Sequence, residues 1–169
     1  MVVAGEDAIK EHGLKPLARV VSYATVGCDP TIMGIGPAPA IRQVLAHTGL
    51  KIDDIDIFEV PLKFLATARS RDDFGVYPTA SFLERDLTVQ VNEAFAPQAL
   101  AVQRELGIPM EKLNLNGGAI ALGHPLGASG ARISVHLTHE LKRRNMKYAI
   151  GSACIGGGQG VAVLFENTN

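Results

Sequence analysis

Only two cysteines occur in the 169 residues, Cys28 and Cys154. That is too few for a disulfide scaffold, so the chemistry of a single thiol has to be considered. Long apolar runs are also missing. The three most apolar stretches are Val20 to Val26, Ile52 to Val60 and Tyr148 to Cys154, all far short of the ~20 residues a membrane span needs. Neither sign of charge is in excess: 16 Lys and Arg against 17 Asp and Glu leave a net charge of −1. This removes the electrostatic motive for a nucleic acid or an anionic membrane surface as partner. Met1 to Glu11 is acidic and too weakly apolar for a signal or transit peptide, and Glu166 to Asn169 matches no address tag. The glycines form no dinucleotide fingerprint. Gly34-x-Gly36 lacks a third glycine, and Gly156 to Gly160 precedes a strand rather than a helix. What is present is an ordinary soluble globular composition, 47% hydrophobic and 20% charged, over a length that suits one domain with a real core.

Periodicity predicts alternating helices and strands. Gly5 to Gly13 reads as a short helix capped by Gly13, and Leu17 to Val26 as a strand. Gly27 to Pro39 reads as a loop. A helix opens at Pro39 or Ala40, carries Ile41, Val44 and Leu45 at helical spacing, and closes at Gly49. Ile55 to Val60 is a buried-strand pattern, Phe95 to Leu106 a helix, and Ala131 to Arg144 an amphipathic helix with Ile133, Leu137 and Leu141 on one face. Tyr148 to Cys154 and Gly160 to Phe165 read as a hairpin turned at Gly156 to Gly158. The expected fold is α/β, a layered mixed sheet with helices on both faces. Pro61 to Val91 breaks the rhythm; it is long for a connection and reads as a surface insertion with a short helix near Ala80 to Leu87.

The most informative stretch runs from Asn114 to Glu140. A glycine-rich apolar loop presents His124 between Gly123 and Pro125, and a helix starts among Gly127, Ala128, Ser129 and Gly130. Pro125 fixes the backbone behind the histidine, the glycines admit close approach, and the helix start brings unpaired N–H groups. Taken singly, the residues have plain readings. A glycine-flanked histidine is commonly structural, a buried cysteine is a small hydrophobe, and Asn92 before a helix is an N-cap. Cys28, in G-C-D-P, reads as structural. His136 and His139 share a helical turn but have no evident third ligand, so no metal site is expected and both read as surface or helix-packing residues.

Three signatures change the weighting. N-E-A-F at Asn92 to Phe95, N-G-G-A-I-A-L-G-H-P-L-G-A-S-G-A-R at Asn116 to Arg132, and G-S-A-C-I-G-G-G-Q-G at Gly151 to Gly160 resemble the C-terminal signatures of thiolases. D-P-T-I-M-G-I-G-P at Asp29 to Pro37 and N-E-A-F-A-P-Q at Asn92 to Gln98 extend the likeness over nearly the whole chain except Pro61 to Val91. It is closest to the 3-ketoacyl-CoA thiolases of fatty-acid β-oxidation, with acetoacetyl-CoA thiolases next. The resemblance implies a thiolase C-terminal domain over residues 1–169, with 61–91 inserted in it. It implies thiolytic cleavage of a 3-ketoacyl-CoA by free coenzyme A, or the reverse condensation, with coenzyme A as substrate and no cofactor. That chemistry needs a nucleophile for the ketone carbon, an acid for the enolate carbon, and donors for two oxyanions. By resemblance Cys154 is the acid/base thiol, and His124 activates the nucleophilic cysteine and donates to the thioester oxygen. Asn92 holds a water in that same oxyanion hole, and the Gly156 N–H forms part of the second.

The resemblance also implies what is absent from these residues. A thiolase has two similar halves, and the acyl-accepting cysteine belongs to the N-terminal one; no C-x-S-G context occurs here. The expectation is therefore an acid/base half that is inactive alone. It would need the N-terminal half or another thiolase subunit, expose the apolar face meant for it, and form a homo-oligomer. Decarboxylating condensing enzymes share the fold but do not need a cysteine at the Cys154 position. A non-catalytic acyl-CoA or lipid-binding module, or one that pairs with a thiolase, is the other alternative. The β-oxidation likeness leans to the mitochondrial matrix, with cytoplasm or peroxisome as alternatives.

Overall fold

The computed structural model describes residues 1–60, 89–90 and 96–168. Asn92 and the expected helix near Ala80 to Leu87 lie outside the described residues.

Helix α1 (Glu6–His12) has Glu6 and Asp7 in its first turn and Lys10 and His12 in its last, the arrangement the helix dipole favours. It ends at Gly13 in the left-handed region, φ 59°. Strand β1 (Ala18–Gly27) follows, then a 3-10 turn (Pro30–Ile35) whose Asp29 side chain caps the Thr31 N–H. Helix α2 (Pro37–Thr48) begins with proline at its first position, where the missing N–H costs nothing, and closes at Gly49. Strand β2 (Ile57–Glu59) is buried throughout. A two-residue strand, β3 (Val89–Gln90), precedes helix α3 (Ala96–Leu106) and pairs antiparallel with β4 (Asn114–Leu115). A one-turn helix, α4 (Gly118–Leu122), leads through the His124 loop to α5 (Ser129–Arg144). The hairpin β5 (Tyr148–Ile155) and β6 (Gln159–Asn167) completes the domain.

The main sheet has the order β1-β6-β5-β2. β6 is antiparallel to both β1 and β5, whereas β2 is parallel to β5, so the sheet is mixed as expected. Cross-strand partners share a face. Ile150 with Leu164, Ser152 with Ala162 and Cys154 with Gly160 therefore point to one side, and Ala149 with Phe165 and Gly151 with Val163 to the other. Glycines decide how closely the helices approach. A Cβ on Gly151 would come within 2.7 Å of Ile133 Cγ2 and 3.0 Å of Leu137 Cδ1, so α5 lies against that second face. On the first face, a Cβ on Gly36 would stand 2.6 Å from the Gln159 carbonyl oxygen, and one on Gly160 would collide with the Gly36 carbonyl. The start of α2 is thus seated on the start of β6. The helices cover both faces, and Ile41 and Val44 of α2, Leu137 and Leu141 of α5, and Ile57, Phe58, Ile150 and Leu164 of the sheet are sealed from solvent.

The elements differ from expectation mainly at their ends. α2 starts at Pro37, two residues before Pro39, and the expected strand over Ile55 to Val60 contracts to Ile57–Glu59. The stretch expected as an irregular loop contains α4. Gly117 (φ 92°) and Gly123 (φ 86°) take left-handed conformations on either side of it, which confines the helix to one turn.

Candidate active site

Cys154 is the next-to-last residue of β5. Its pairing with Gly160 sets it on the α2 side of the sheet, half-buried. The turn that follows needs glycine at Gly157 and Gly158, both near φ 84°. That turn is backed by the stretch around Cys28: the Cys28 N–H donates to the Gly158 carbonyl at 2.7 Å, and a Cβ on Gly158 would lie 2.9 Å from Pro30 N. Cys28 was expected to be structural, and its backbone holds this turn; its thiol lies 3.9 Å from the Met33 carbonyl oxygen. Burial pushes the Cys154 thiol above its ordinary pKa, and hydrogen bonding from the Gln98 side chain and from its own backbone draws it part of the way back. Gln98, in the first turn of α3, is 6% exposed and is pressed against the Pro30–Ile35 turn, with its Cγ 3.1 Å from where a Gly34 Cβ would be. Neither amide atom of Gln98 has a hydrogen bond of ordinary geometry among the described residues, so its influence on the thiol is that of a weak, long contact. Gly156 is exposed, and a Cβ there would meet nothing within 4 Å among the described residues. Whatever requires glycine at that position is not this chain's own described packing.

His124 follows Gly123 in the loop between α4 and α5. Its Nδ1 lies 2.7 Å from the Ser129 hydroxyl, and that hydroxyl donates to the Pro125 carbonyl at 3.1 Å. The Ala128 and Ser129 N–H groups also donate to Pro125 O, at 2.8 and 2.9 Å. The loop is thereby tied to the first residue of α5. α5 and β5 are joined by a short connection and run in opposite directions, with Ile133 and Leu137 over Gly151. At ~1.5 Å per helical residue and ~3.3 Å per strand residue, 16 and eight residues span comparable lengths. The start of α5, with His124, therefore returns to the end of the sheet where β5 finishes at Cys154.

The first turn of α5 also carries a buried carboxyl–guanidinium contact that the sequence pattern did not single out. Glu59, the last residue of β2, is fully buried and lies 3.0 Å from Arg132. Burial pushes the Glu59 carboxyl up to about 8 against the pull of Arg132, so below that pH it mostly keeps its proton and faces the guanidinium as a neutral acid. A second cluster lies two turns on. Glu140 is desolvated, which raises its pKa, but hydrogen bonds from Arg143, Arg144 and Asn116 more than offset this and hold it at about 2. Arg143 contacts it at 2.9 and 2.7 Å and Arg144 at 2.7 Å. Asn116 Nδ2 also sits 3.3 Å from His136 Nε2. His136 is half-buried, and burial lowers its pKa to about 4 against the pull of Glu140; His139 is exposed. His136 thus packs the helix against the start of the glycine loop. Among the described residues no group of three or more His, Cys, Asp or Glu is placed to hold a metal ion, and no helix is long and apolar enough to cross a membrane.

The geometry can be set beside known proteins. Residues 14–71 and 80–167 match the profile of the thiolase C-terminal domain. The chain belongs to the thiolase family. It is 52% identical over 168 residues to bovine mitochondrial 3-ketoacyl-CoA thiolase, covering 99% of this chain and 34% of that protein. Acetyl-CoA acetyltransferase of Syntrophomonas wolfei is 44% identical over 168 residues, covering 98% of this chain and 35% of that protein. The crystal structure of human mitochondrial 3-ketoacyl-CoA thiolase superposes with a TM-score of 0.78 at 51% identity, over 98% of this chain and 34% of that one. The chain thus spans about a third of the length of the curated relatives it matches.

Proposed function

We propose that this chain supplies the acid/base side of a thiolase active site, which cleaves a 3-ketoacyl-CoA with coenzyme A or runs the reverse condensation. What supports the reading is that β5 ends beside Cys154 at the same end of the sheet as the start of α5, to which His124 is tied through Ser129, within a chain of the thiolase family. In this reading Cys154 gives a proton to the enolate carbon of the leaving acetyl-CoA and takes it back in the condensation. His124 draws the proton from the nucleophilic thiol and then donates to the thioester oxygen. Asn92 holds a water beside it, and the Gly156 N–H stabilises the second oxyanion. A cysteine at 154 favours this over a decarboxylating condensation, in which loss of CO₂ generates the enolate.

The nucleophile comes from an N-terminal thiolase half, outside these residues. Leu126, Leu122 and Ile155 are 84%, 53% and 39% exposed around the two loops, the kind of apolar surface a companion half covers. Higher identity to the 3-ketoacyl-CoA enzyme than to the acetyl-CoA acetyltransferase supports a 3-ketoacyl-CoA as substrate class, and the name of the former, a mitochondrial enzyme, supports a mitochondrial location, within which the matrix is our reading. The working enzyme is a homo-oligomer in this reading. The test joins the 169 residues to the upstream part of the bovine relative and measures coenzyme A-dependent loss of acetoacetyl-CoA and longer 3-ketoacyl-CoAs. Turnover that Cys154→Ala abolishes is expected, with none from the 169-residue chain alone. Full activity in the Cys154→Ala protein overturns the assignment.

A further inference from the structure

We infer that the Ser129 hydroxyl holds the His124 ring as the Nδ1–H tautomer, so that Nε2 is the nitrogen that takes and returns the proton. This rests on the reading of His124 as a thiolase base and names the residue that decides which ring nitrogen works. A serine hydroxyl has one proton and two lone pairs, and a carbonyl oxygen can only accept. With the Pro125 carbonyl 3.1 Å from Ser129 Oγ, the hydroxyl proton belongs between those two oxygens. Turned towards the histidine instead, it would leave the two oxygens facing each other with no proton between them. The Pro125 carbonyl also takes the Ala128 and Ser129 N–H groups, so the hydroxyl is its third donor; with the hydroxyl proton kept there, a lone pair of Ser129 meets Nδ1 at 2.7 Å and Nδ1 is the donor. A neutral imidazole carries one N–H, so its lone pair is on Nε2.

The arrangement is held firmly. Ser129 is 4% exposed, its own N–H also binds the Pro125 carbonyl at 2.9 Å, and Pro125 directly follows the histidine. It also suits a ring that must gain and lose a proton. When a thiol S–H bond breaks and an N–H bond forms at Nε2, the products are a thiolate and an imidazolium. Nδ1–H donates to Ser129 before and after, so the hydroxyl never has to turn. Ser129 touches neither substrate nor the reacting atoms in this account; it is a positioning residue.

The tautomer can be read directly by long-range ¹H–¹⁵N correlation on the 169-residue chain labelled with ¹⁵N-histidine. The His124 signals, among the five histidines, are assigned by their loss in His124→Gln. Above its titration, His124 should show a protonated Nδ1 and an unprotonated Nε2. Ser129→Ala should move the balance towards the Nε2–H form that imidazole prefers in water, and Ser129→Thr, which keeps the hydroxyl, should restore it. In the joined enzyme Ser129→Ala should lower kcat by roughly ten- to a hundredfold, with KM little changed. An Nε2–H tautomer in the parent chain, or one that Ser129→Ala leaves untouched, overturns the inference. If Ser129→Ala does not fold, the parent spectrum alone decides. An Nδ1–H ring in a joined protein without turnover would retain this inference and remove the catalytic reading; an active enzyme with Nε2–H would do the reverse.

Discussion

Replacing Glu140 by glutamine keeps the shape of a nearly buried side chain and removes the charge that gathers Arg143, Arg144 and Asn116. The size of the effect follows from its proton affinity. Desolvation opposes the charged form, yet the hydrogen bonds of Arg143, Arg144 and Asn116 bring the pKa from 4.5 to about 2. At about 1.4 kcal/mol for each tenfold change in proton affinity, that displacement is worth about 3 kcal/mol. Arg143 is 58% exposed, so water screens its share and about 2 kcal/mol is a better expectation. The sign follows from which state holds the proton. A depressed folded pKa means the unfolded chain binds more protons at low pH. The contribution is therefore whole above about 4.5 and is lost as pH falls through about 2. Urea unfolding at pH 7 should show Glu140→Gln less stable by about 2 kcal/mol, a midpoint lower by roughly 1 M. More than half of that gap should have closed by about pH 3, because only the parent loses the term. Equal midpoints at pH 7, or a gap that stays constant down to pH 3, would refute the reasoning.

Other perturbations test the site. Gln98→Leu preserves the volume beside Cys154 but removes its amide, so the thiol pKa should rise; in a Cys28→Ser background, the pH profile of Cys154 alkylation should move to higher pH, and an unchanged profile removes the contact. Gly160→Ala should cost at least ~3 kcal/mol by thermal melting, because the new methyl meets backbone rather than a side chain that can turn away. Gly156→Ala should leave the melting temperature of the chain nearly unchanged, since its Cβ meets nothing within 4 Å among the described residues. Turnover of the joined enzyme should nonetheless fall by about 10²-fold, as a displaced reacting group does. Equal turnover would remove Gly156 from the oxyanion hole. The family profile covers 61–71 and 80–91 of the stretch expected as an unmatched insertion, so joining Val60 directly to Asn92 should lower the melting temperature; an unchanged or higher value would show that the stretch is dispensable to the fold.

The order of helices and strands was legible because the apolar residues recur at plain intervals and glycines stand where helices stop. Gly13 and Gly49 end α1 and α2 in left-handed conformations, as their positions after Lys10-Glu11-His12 and His47-Thr48 suggested. Strand ends were less legible, because pairing rather than composition decides them. Gln159 belongs to β6 because Ile155 lies opposite it, and Ile55 does not belong to β2 although it is as apolar as Ile57. The motifs located Cys154, His124 and the glycine turn. They included Ser129, Gln98 and Arg132 without giving them a role and left out Glu59, since the contacts of these side chains are set by the fold rather than by the motif. Glu59 could have been suspected, as a carboxylate at the end of a wholly apolar strand calls for a cation, but nothing in the spacing of Glu59 and Arg132 says that α5 will bring the two together.

That juxtaposition has a consequence for how the site is built. Arg132 sits in the first turn of α5, where the helix dipole disfavours a cation, and it lies four residues beyond the mainly exposed stretch from Pro125 to Ala128. Glu59 answers it from the end of β2, beside β5. The pair therefore links the strand next to Cys154's strand with the helix whose first residue holds His124. Removing Arg132 would leave the fully buried Glu59 without its cation, so the link resists slippage of α5 along the sheet. The close seating of Ile133 on Gly151 resists it too, by shape alone. One contact is polar, the other steric. Together they hold the start of α5 against the sheet end that carries the thiol, while Leu126 and the rest of the loop stay on the surface for whatever completes the site.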